Sequence, residues 1–288
     1  MTREQAEEIL KRDMPLDTTV SLTVREDGRG RIAIKSKDID ESRSFNLVDH
    51  ALHSGCMELN SDGAKGKGLG RHIMRNEIEF FRACGVKKFN IYAALTNGGY
   101  TWARLGFVPE STAGFAGTVK TRVEKLSPLL TTEEKETLAD IAKFRSTKDI
   151  WRLADLKVDM RERLTSVFKK AAEGDVQARY LTSAIEDMNG DIETQLRSKK
   201  ELMIGRLLLT GTSWDGNLFF DDKEQMARVE NYVGGWIGIP GAQQPPEAMN
   251  DNDPKNSVQT TPEARRSQAA TFTKVAEFVD RCLIRLGL

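Results

Sequence analysis

The sequence predicts an α+β protein, in which an α/β mixed sheet occupies about residues 15–115 and a mainly helical C-terminal extension follows. Polar and apolar residues alternate over 18–25 and 31–35, a pattern typical of strands with one buried face. A glycine-rich loop then separates an extended stretch from a helix-like stretch. From about residue 112 the chain is rich in Glu, Lys, Ala and Leu, which favour helices. Strands therefore come first and helices afterwards.

The strand-rich half is predicted to begin with a helix over residues 3–12. The strands at 18–25 and 31–35 are joined through Asp27-Gly28, a pair that favours a hairpin turn. The further predicted elements are strands at 43–48 and 51–60, a helix at about 71–83, a strand at 86–95 and a short helix that ends near residue 105. Within the helix at 71–83, Ile73, Ile78 and Phe81 share one face, which we expect to be buried.

The helix-rich half is predicted to contain helices at 131–144, 148–159 and 161–173, with further helix through 177–211. Residues 212–220 (TSWDGNLFF) place a turn pair between apolar runs, and the pattern leaves open whether they add strands to the first sheet. Residues 238–262 hold most of the prolines and few apolar side chains, which is typical of a flexible linker. We therefore expect a first domain at 1–115, a helical extension at 116–237, a linker at 238–262 and an amphipathic C-terminal helix at 263–288.

The charge balance bears on the class of partner. The 288 residues include 43 basic and 43 acidic side chains, so the formal net charge is zero. Such a balance gives no electrostatic reason to expect nucleic acid or an anionic membrane as a partner. No run of about 18 apolar residues is present, so the sequence predicts no membrane span. Three widely spaced cysteines and a charged N-terminal segment predict free thiols in a reducing, intracellular compartment.

The glycine-rich loop is the strongest candidate for a ligand site, and it reads Lys65, Gly66, Lys67, Gly68, Leu69, Gly70, Arg71. Glycines let the backbone approach a ligand, and the first N–H groups of the following helix have no partner within the helix. The helix dipole and the basic side chains favour an anion, so the loop is a candidate cradle for a phosphate or pyrophosphate. Its spacing matches neither a Walker A loop nor a dinucleotide fingerprint. The alternative is a surface turn that binds nothing.

Two motifs carry a resemblance to a known family. The loop reads K-x-x-G-x-G and leads into a helix, and one strand later residues 97–107 read N-G-G-Y-x-W-A-R-L-G-F. Together with the element order, these motifs resemble the GCN5-related N-acetyltransferase (GNAT) superfamily over about residues 15–115. The resemblance implies that the loop binds the pyrophosphate of acetyl-CoA through backbone N–H groups and that the strand at Asn60 pairs with the pantetheine arm. The implied coenzyme-binding residues are Asn60, Lys65, Gly66, Lys67, Gly68, Leu69, Gly70 and Arg71, with Lys65 standing where the family has Gln or Arg.

The form of the second motif and the long helical extension resemble one group within this superfamily. G-G-Y-x-W-A-R-x-G-F followed by helices and T-S-W-D-G is most similar to the GNAT-like proteins of bacteriophages. This implies a protein made in the cytoplasm of a bacterial host and associated with the virion. The C-terminal helix is then a candidate for contact with a protein partner or virion component, and docking on the chain's own domain is the alternative.

Acetyl transfer to an amine requires a base for the ammonium proton and an acid for the leaving thiolate. The family's usual acid is a tyrosine four residues before the Gly of the G-F ending, and Trp102 stands there in this sequence. An indole N–H is not an acid. The candidate acid is Tyr100, two residues away, which faces elsewhere if the segment is helical and which a loop distortion at Gly98-Gly99 would bring back. Glu58 on the fourth strand is the candidate base, and the alternative is a partly buried, hydrogen-bonded carboxylate without a catalytic role. His50 and His53 are weaker candidates for the base.

The spacing of His50, His53 and Cys56 does not predict a metal site, because on a strand His53 points away from the other two. Two functions remain open. One is an N-acetyltransferase that uses acetyl-CoA, which the intact glycine loop favours. The other is a catalytically degenerate GNAT-fold protein of a phage particle that acts through protein–protein contacts, which the loss of the family tyrosine favours.

Overall fold

The structure is a computed structural model that describes residues 3–59, 68–93, 98–189, 192, 196 and 201–234. The predicted linker at 238–262 and the predicted C-terminal helix at 263–288 lie outside these residues. The described chain is α+β, as the sequence predicts: four strands precede residue 60, and helices predominate after residue 98.

Seven strands are described, and they are β1 (Thr19–Val24), β2 (Arg29–Lys35), β3 (Ile39–Asn46), β4 (Ala51–Leu59), β5 (Lys88–Ala93), β6 (Val108–Pro109) and β7 (Trp214–Phe219). Their order in the sheet is β1-β2-β3-β4-β5-β7-β6. The first four strands are consecutive and antiparallel, and β6 is antiparallel to β7. The segment at 212–220, whose role the sequence left open, therefore adds one strand to the sheet.

Ten α-helices are described, and they are α1 (Arg3–Lys11), α2 (Leu69–Ala83), α3 (Gly98–Arg104), α4 (Ala113–Leu126), α5 (Thr132–Ile141), α6 (Asp149–Ala154), α7 (Arg161–Ala172), α8 (Val176–Asn189), α9 (Ile204–Leu209) and α10 (Lys223–Val233). In the described part of the stretch predicted as helix through 177–211, α8 and α9 are helical, and so are residues 192 and 196. A single 3-10 turn, Ser127–Leu129, follows α4.

At two of the predicted boundaries, tertiary partners override the local pattern. Strand β3 begins at residue 39 rather than 43, since Glu41 is buried in the core, where the sequence pattern gives no reason to place a carboxylate. The helix predicted over 148–159 ends at Ala154. Residues 158–160 instead exchange backbone hydrogen bonds with residues 202–204, which are distant in sequence.

The chain clusters into two compact units. Among the described residues, the first comprises those up to Phe89, together with Phe219–Lys223 and those from Val229 onward. The second comprises Asn90–Leu218 and Glu224–Arg228. The predicted domain boundaries at residues 115 and 237 stay predictions.

The first unit is built on β1–β4 with α1 and α2. Alternate side chains of the strands are buried, as at Ile32 on β2 and Phe45 on β3. The predicted apolar face of α2 is confirmed, since Ile73, Ile78 and Phe81 are all buried. The rings of Phe45 and Phe81 meet edge to face with centroids 5.4 Å apart. The apolar alternation of the strands therefore meets the helical stripe of α2 in one core.

Two carboxylates and one guanidinium are buried together in this core. Arg43 on β3 pairs with Glu41 of the same strand, and its Nε donates to Glu77 Oε2 on α2 at 3.3 Å. The guanidinium also lies over the Phe89 ring, 5.3 Å from its centroid. Burial, and then the Glu77 carboxylate, raise the pKa of Glu41 to about 8, and burial also raises the pKa of Glu77. One cation thus lies between two buried carboxyl groups, and burial favours the neutral form of both.

The second unit is mainly helical, and buried polar side chains satisfy backbone groups within it. The guanidinium of Arg122 on α4 donates to the carbonyl of Leu208 at 3.1 Å and to that of Met188 at 3.0 Å. The last carbonyls of a helix have no partner within the helix, so a cation there is stabilising. Trp151 Nε1 donates to the carbonyl of Phe107 at 2.9 Å. This bond anchors the G-F ending of the second motif to α6.

Candidate functional site

The eight predicted coenzyme-binding residues divide evenly between described and undescribed positions. Those outside the described residues are Asn60, Lys65, Gly66 and Lys67. Those that open α2 are Gly68, Leu69, Gly70 and Arg71. The helix begins at Leu69 rather than at the predicted residue 71, because the carbonyl of Gly68 already accepts the N–H groups of Arg71 at 2.8 Å and His72 at 3.2 Å.

Gly68 stands directly before α2 in the left-handed conformation, with φ 79° and ψ 3°. A residue with a Cβ is strained there, which is a physical reason for glycine at this position. No described side chain caps the helix, and its first turn contains no acidic residue. The N-terminus of α2 therefore offers backbone N–H donors and the positive end of the helix dipole to an external anion.

Arg71 adds a positive charge to this first turn. Its side chain is exposed, and its guanidinium carbon lies 5.3 Å from the centroid of the Tyr232 ring on α10. A guanidinium that stacks on an aromatic ring can still donate its five N–H groups to an acceptor, because they point outward in the plane of the guanidinium. The contact thus holds the cation beside the start of α2, within the same compact unit.

The candidate bases lie on or next to β4. The backbone of Glu58 pairs with Asp40 on β3, so Glu58 is a strand residue as predicted, and its role as a base stays a prediction. His50 precedes β4 with a positive φ of 49°, and its Nδ1 donates to the carbonyl of Gly85 at 2.9 Å. That bond gives His50 a structural role at the end of α2. His53 is exposed on β4.

Tyr100, the candidate acid, lies on α3 between two cations. Its hydroxyl oxygen accepts a hydrogen bond from Arg104 Nη1 at 3.2 Å. The guanidinium carbons of Arg104 and Arg206 each lie 5.9 Å from the centroid of its ring. Burial lowers the pKa of Arg206. Because arginine can only donate, the hydroxyl proton of Tyr100 remains for a different acceptor.

Trp102 is a core residue. It is buried, and its ring meets Phe107 edge to face with centroids 4.9 Å apart. The chain is helical from Gly98 to Arg104 rather than distorted at Gly98-Gly99, so Tyr100 is half-buried while Trp102 points into the core. The role of Tyr100 as the acid stays a prediction. Gly99 also has a packing role, since a Cβ there would lie 2.4 Å from Thr212 Oγ1. Part of the N-G-G-Y-x-W motif therefore reflects packing within the second unit.

The cations around Tyr100 were not predicted from the sequence. Arg104 follows Tyr100 by one helical turn, so the spacing alone could have indicated the pair. Arg206 is more than a hundred positions away in sequence, and only the packing of α9 in the second unit brings it to the phenol. Sequence reasoning has no signal for such a neighbour.

Within the described ranges, no group of three His, Cys, Asp or Glu side chains is placed to hold a metal ion. No helix of that part of the chain is long and apolar enough to cross a membrane. The chain has no match among models of protein families, curated proteins or solved structures. Its chemistry is therefore interpreted from two features: the start of α2 at Gly68 in the first unit and the phenol of Tyr100 in the second.

Proposed function

We propose that this chain is a GNAT-like N-acetyltransferase, encoded by a bacteriophage, that transfers the acetyl group of acetyl-CoA to an amine. The observation that carries the proposal is the start of α2, where a left-handed Gly68 leads into a helix without a side-chain cap and with Arg71 in its first turn. Such a terminus favours an oxyanion, because its N–H donors and its dipole both act on negative charge. The element order around it and the K-x-x-G-x-G motif support the same proposal.

In this proposal the pyrophosphate of the coenzyme accepts hydrogen bonds from backbone N–H groups at the start of α2. Gly68 permits the close approach, and Arg71 supplies positive charge next to the phosphates. The resemblance to the family adds Lys65 on the loop and pairing of the pantetheine arm at Asn60. The proposed partner is therefore coenzyme A.

Transfer of the acetyl group requires two proton movements. As the amine nitrogen attacks the thioester carbonyl, Glu58 accepts the proton that the amine loses. The C–S bond then breaks, and Tyr100 donates a proton to the departing thiolate, so that free coenzyme A and an acetylated amine are released. Tyr100 is proposed as the acid because its oxygen accepts from Arg104 and its own O–H is left to donate.

Gly68→Glu is expected to weaken acetyl-CoA binding at least about tenfold, because the added carboxylate repels a phosphate at the start of α2. Isothermal titration calorimetry of the full chain measures the change. Gly85→Glu is the matched control, since Gly85 lies just after α2, has a φ of 76° close to the 79° of Gly68, and has open space around it. Both variants add the same charge and the same backbone strain, but only one adds them at the proposed site.

A further variant separates charge from size at this position. Gly68→Gln is expected to weaken binding less than Gly68→Glu, since the two side chains are similar in shape and only one is ionised. The proposal of a coenzyme site at α2 is rejected if the wild-type chain binds no acetyl-CoA, or if Gly68→Glu and Gly85→Glu lose affinity equally.

Tyr100→Phe is expected to slow acetyl transfer by about 100-fold or more while acetyl-CoA affinity stays unchanged, because the variant lacks the proton donor. Release of the coenzyme thiol in the presence of a panel of amines measures the rate. Tyr92→Phe is the control, since Tyr92 is a 58% exposed tyrosine on β5. An unchanged rate in Tyr100→Phe would contradict its role.

A catalytically inert GNAT-fold protein of a phage particle is the second candidate, and Trp102 favours it. Trp102 occupies the position of the family's tyrosine and packs against Phe107 in the core, where it cannot act as an acid. In this case the chain releases no coenzyme thiol with any amine of the panel. Recovery of the protein from purified phage particles, together with absence of turnover, would decide for this candidate.

A further inference from the structure

The outer face of β1–β4 carries a row of polar side chains at one level of the sheet. Thr23 pairs with Arg31, Arg31 with Ser44, and Ser44 with His53. Directly opposite residues on neighbouring strands project from the same face with Cβ atoms about 5 Å apart. All four side chains are exposed. Four hydrogen-bonding groups thus lie side by side across four strands.

Two further arginines border this row and complete a pocket. Arg29 lies two residues before Arg31 on β2 and so projects from the same face, and Arg25 follows β1 with its N–H bonded to the carbonyl of Arg29 at 2.8 Å. The row and these arginines line a concave pocket of about 540 Å³. One carboxylate, Asp49, also lines the pocket, and it accepts a hydrogen bond from the Asn46 amide. Three guanidinium groups therefore share the pocket with one carboxylate.

At the end of the sheet face that holds the pocket, basic side chains outnumber the carboxylates that pair with them. Arg29 has an ionic contact with Asp27 at 4.0 Å, in which both side chains are mostly exposed, and no described carboxylate pairs with Arg25 or Arg31. At the other end of the same face, Lys35 and Asp40 neutralise each other at 3.1 Å. The pocket thus coincides with the basic end of the face.

We propose that this pocket binds the phosphate group of a small phosphorylated molecule, either a phosphate monoester or a diphosphate. Arg31 lies between Thr23, whose hydroxyl donates to the Arg31 carbonyl at 3.4 Å, and Ser44, and a guanidinium fork beside the Ser44 hydroxyl matches the several oxygens of a phosphate. Arg29 lies about 7 Å further along the strand, within reach of the same or a second phosphate. The volume of about 540 Å³ falls in the range of small-molecule sites.

A small ligand fits these observations better than a nucleic acid strand. The chain has a net charge of zero, so it lacks the extended positive field that binds a polyanion. A strand that continued along the sheet face from the pocket would reach the neutral pair of Lys35 and Asp40. Three arginines therefore meet at the pocket, whereas the lysine at the other end of this face is paired with a carboxylate, a distribution that suits a small phosphorylated ligand.

This proposal does not depend on the proposed acetyl-CoA site. Phe45, which contacts Phe81 of α2, alternates with Ser44 on β3, so the row lies on the face of β1–β4 opposite to α2. The start of α2 and the pocket use different residues of the first unit. Each site can therefore be removed without altering the other.

The test is a calorimetric titration of the full chain carrying Gly68→Glu with inorganic pyrophosphate, since that background blocks an anion at α2. One pyrophosphate per chain is expected to bind. Arg31→Gln in the same background is expected to weaken binding at least about tenfold. Lys35→Gln is the matched control, because Lys35 lies on the same strand and the same face outside the pocket, and it is expected to keep the affinity within about twofold. Circular dichroism checks that each variant is folded.

Three results would overturn the proposal. Absence of pyrophosphate binding in the Gly68→Glu background would mean that the pocket holds no phosphate. Equal weakening in Arg31→Gln and Lys35→Gln would mean that only the general charge of the face attracts the anion. Tighter binding of a short single-stranded oligonucleotide than of pyrophosphate would assign the face to nucleic acid instead.

Discussion

Arg43→Met is expected to lower the free energy of unfolding by about 3–5 kcal/mol, as is usual when one partner of a buried ion pair is removed. The substitution leaves the carboxyl groups of Glu41 and Glu77 in the core without a cation, and all three side chains have no exposed surface. It also removes the contact between the guanidinium and the Phe89 ring. Because domains are stable by only about 5–15 kcal/mol, the midpoint of urea denaturation should fall clearly.

Two comparison variants show whether the buried charge is the cause. Lys35→Met removes the exposed pair with Asp40 and is expected to change stability by less than about 1 kcal/mol. The triple variant Glu41→Leu, Arg43→Met, Glu77→Met is expected to recover most of the loss, since no charge is then left in the core. If Arg43→Met destabilises the protein no more than Lys35→Met does, the buried ion pair contributes no more to the free energy of unfolding than the exposed pair.

Glu41→Gln is expected to stabilise the protein at about pH 9 by an amount on the order of 3–5 kcal/mol, since one pKa unit corresponds to about 1.4 kcal/mol. Burial, and then the Glu77 carboxylate, raise the pKa of Glu41 from its ordinary value of 4.5 to about 8 in the folded protein. The folded protein therefore holds this proton more tightly than the unfolded chain does. The contribution of Glu41 to stability is therefore fully present below pH 4.5 and is lost as the pH rises towards 8. Glutamine cannot ionise, so the variant escapes this decrease.

The measurement is urea denaturation of the wild type and the variant from about pH 4 to about pH 9. The difference in unfolding free energy is expected to be small at the acidic end and to grow with pH. Asp40→Asn is the control, because Asp40 is the exposed neighbour of Glu41 on β3, and its difference from the wild type should stay within about 1 kcal/mol. Parallel curves for the wild type and Glu41→Gln would mean that Glu41 does not titrate with a raised pKa.

Local patterns predicted the first hairpin and the buried face of α2. Asp27-Gly28 indicated the turn, and Gly28 has the positive φ of 76° that such a turn requires. The start of β3 was misplaced because Glu41 looks like a surface residue in the sequence. Its burial depends on Arg43 and on Glu77, and the latter lies on a helix 36 positions away. The sequence pattern therefore missed the start of β3, because a residue with a carboxyl group occupies one of the buried positions of that strand.

In the candidate sites, too, some features follow from local sequence and others depend on residues that are far apart in the chain. The glycine before α2 follows from the local motif, because one residue in the left-handed conformation is a property of its own backbone. The alternation of β2 also places Arg29 and Arg31 on one face. Their alignment with Ser44 and His53 depends on the register between strands, which no single strand specifies.

The sequence by itself determined the α+β class, most of the helices and strands, and the position of the glycine loop. These features depend on residue spacing and backbone preferences over a few positions. Only the tertiary structure decided that β7 joins the sheet, that Arg43 lies between two buried carboxylates, and that Arg206 lies beside Tyr100. Each of these depends on groups far apart in the chain, and their meeting is set by the packing of whole elements rather than by any local pattern.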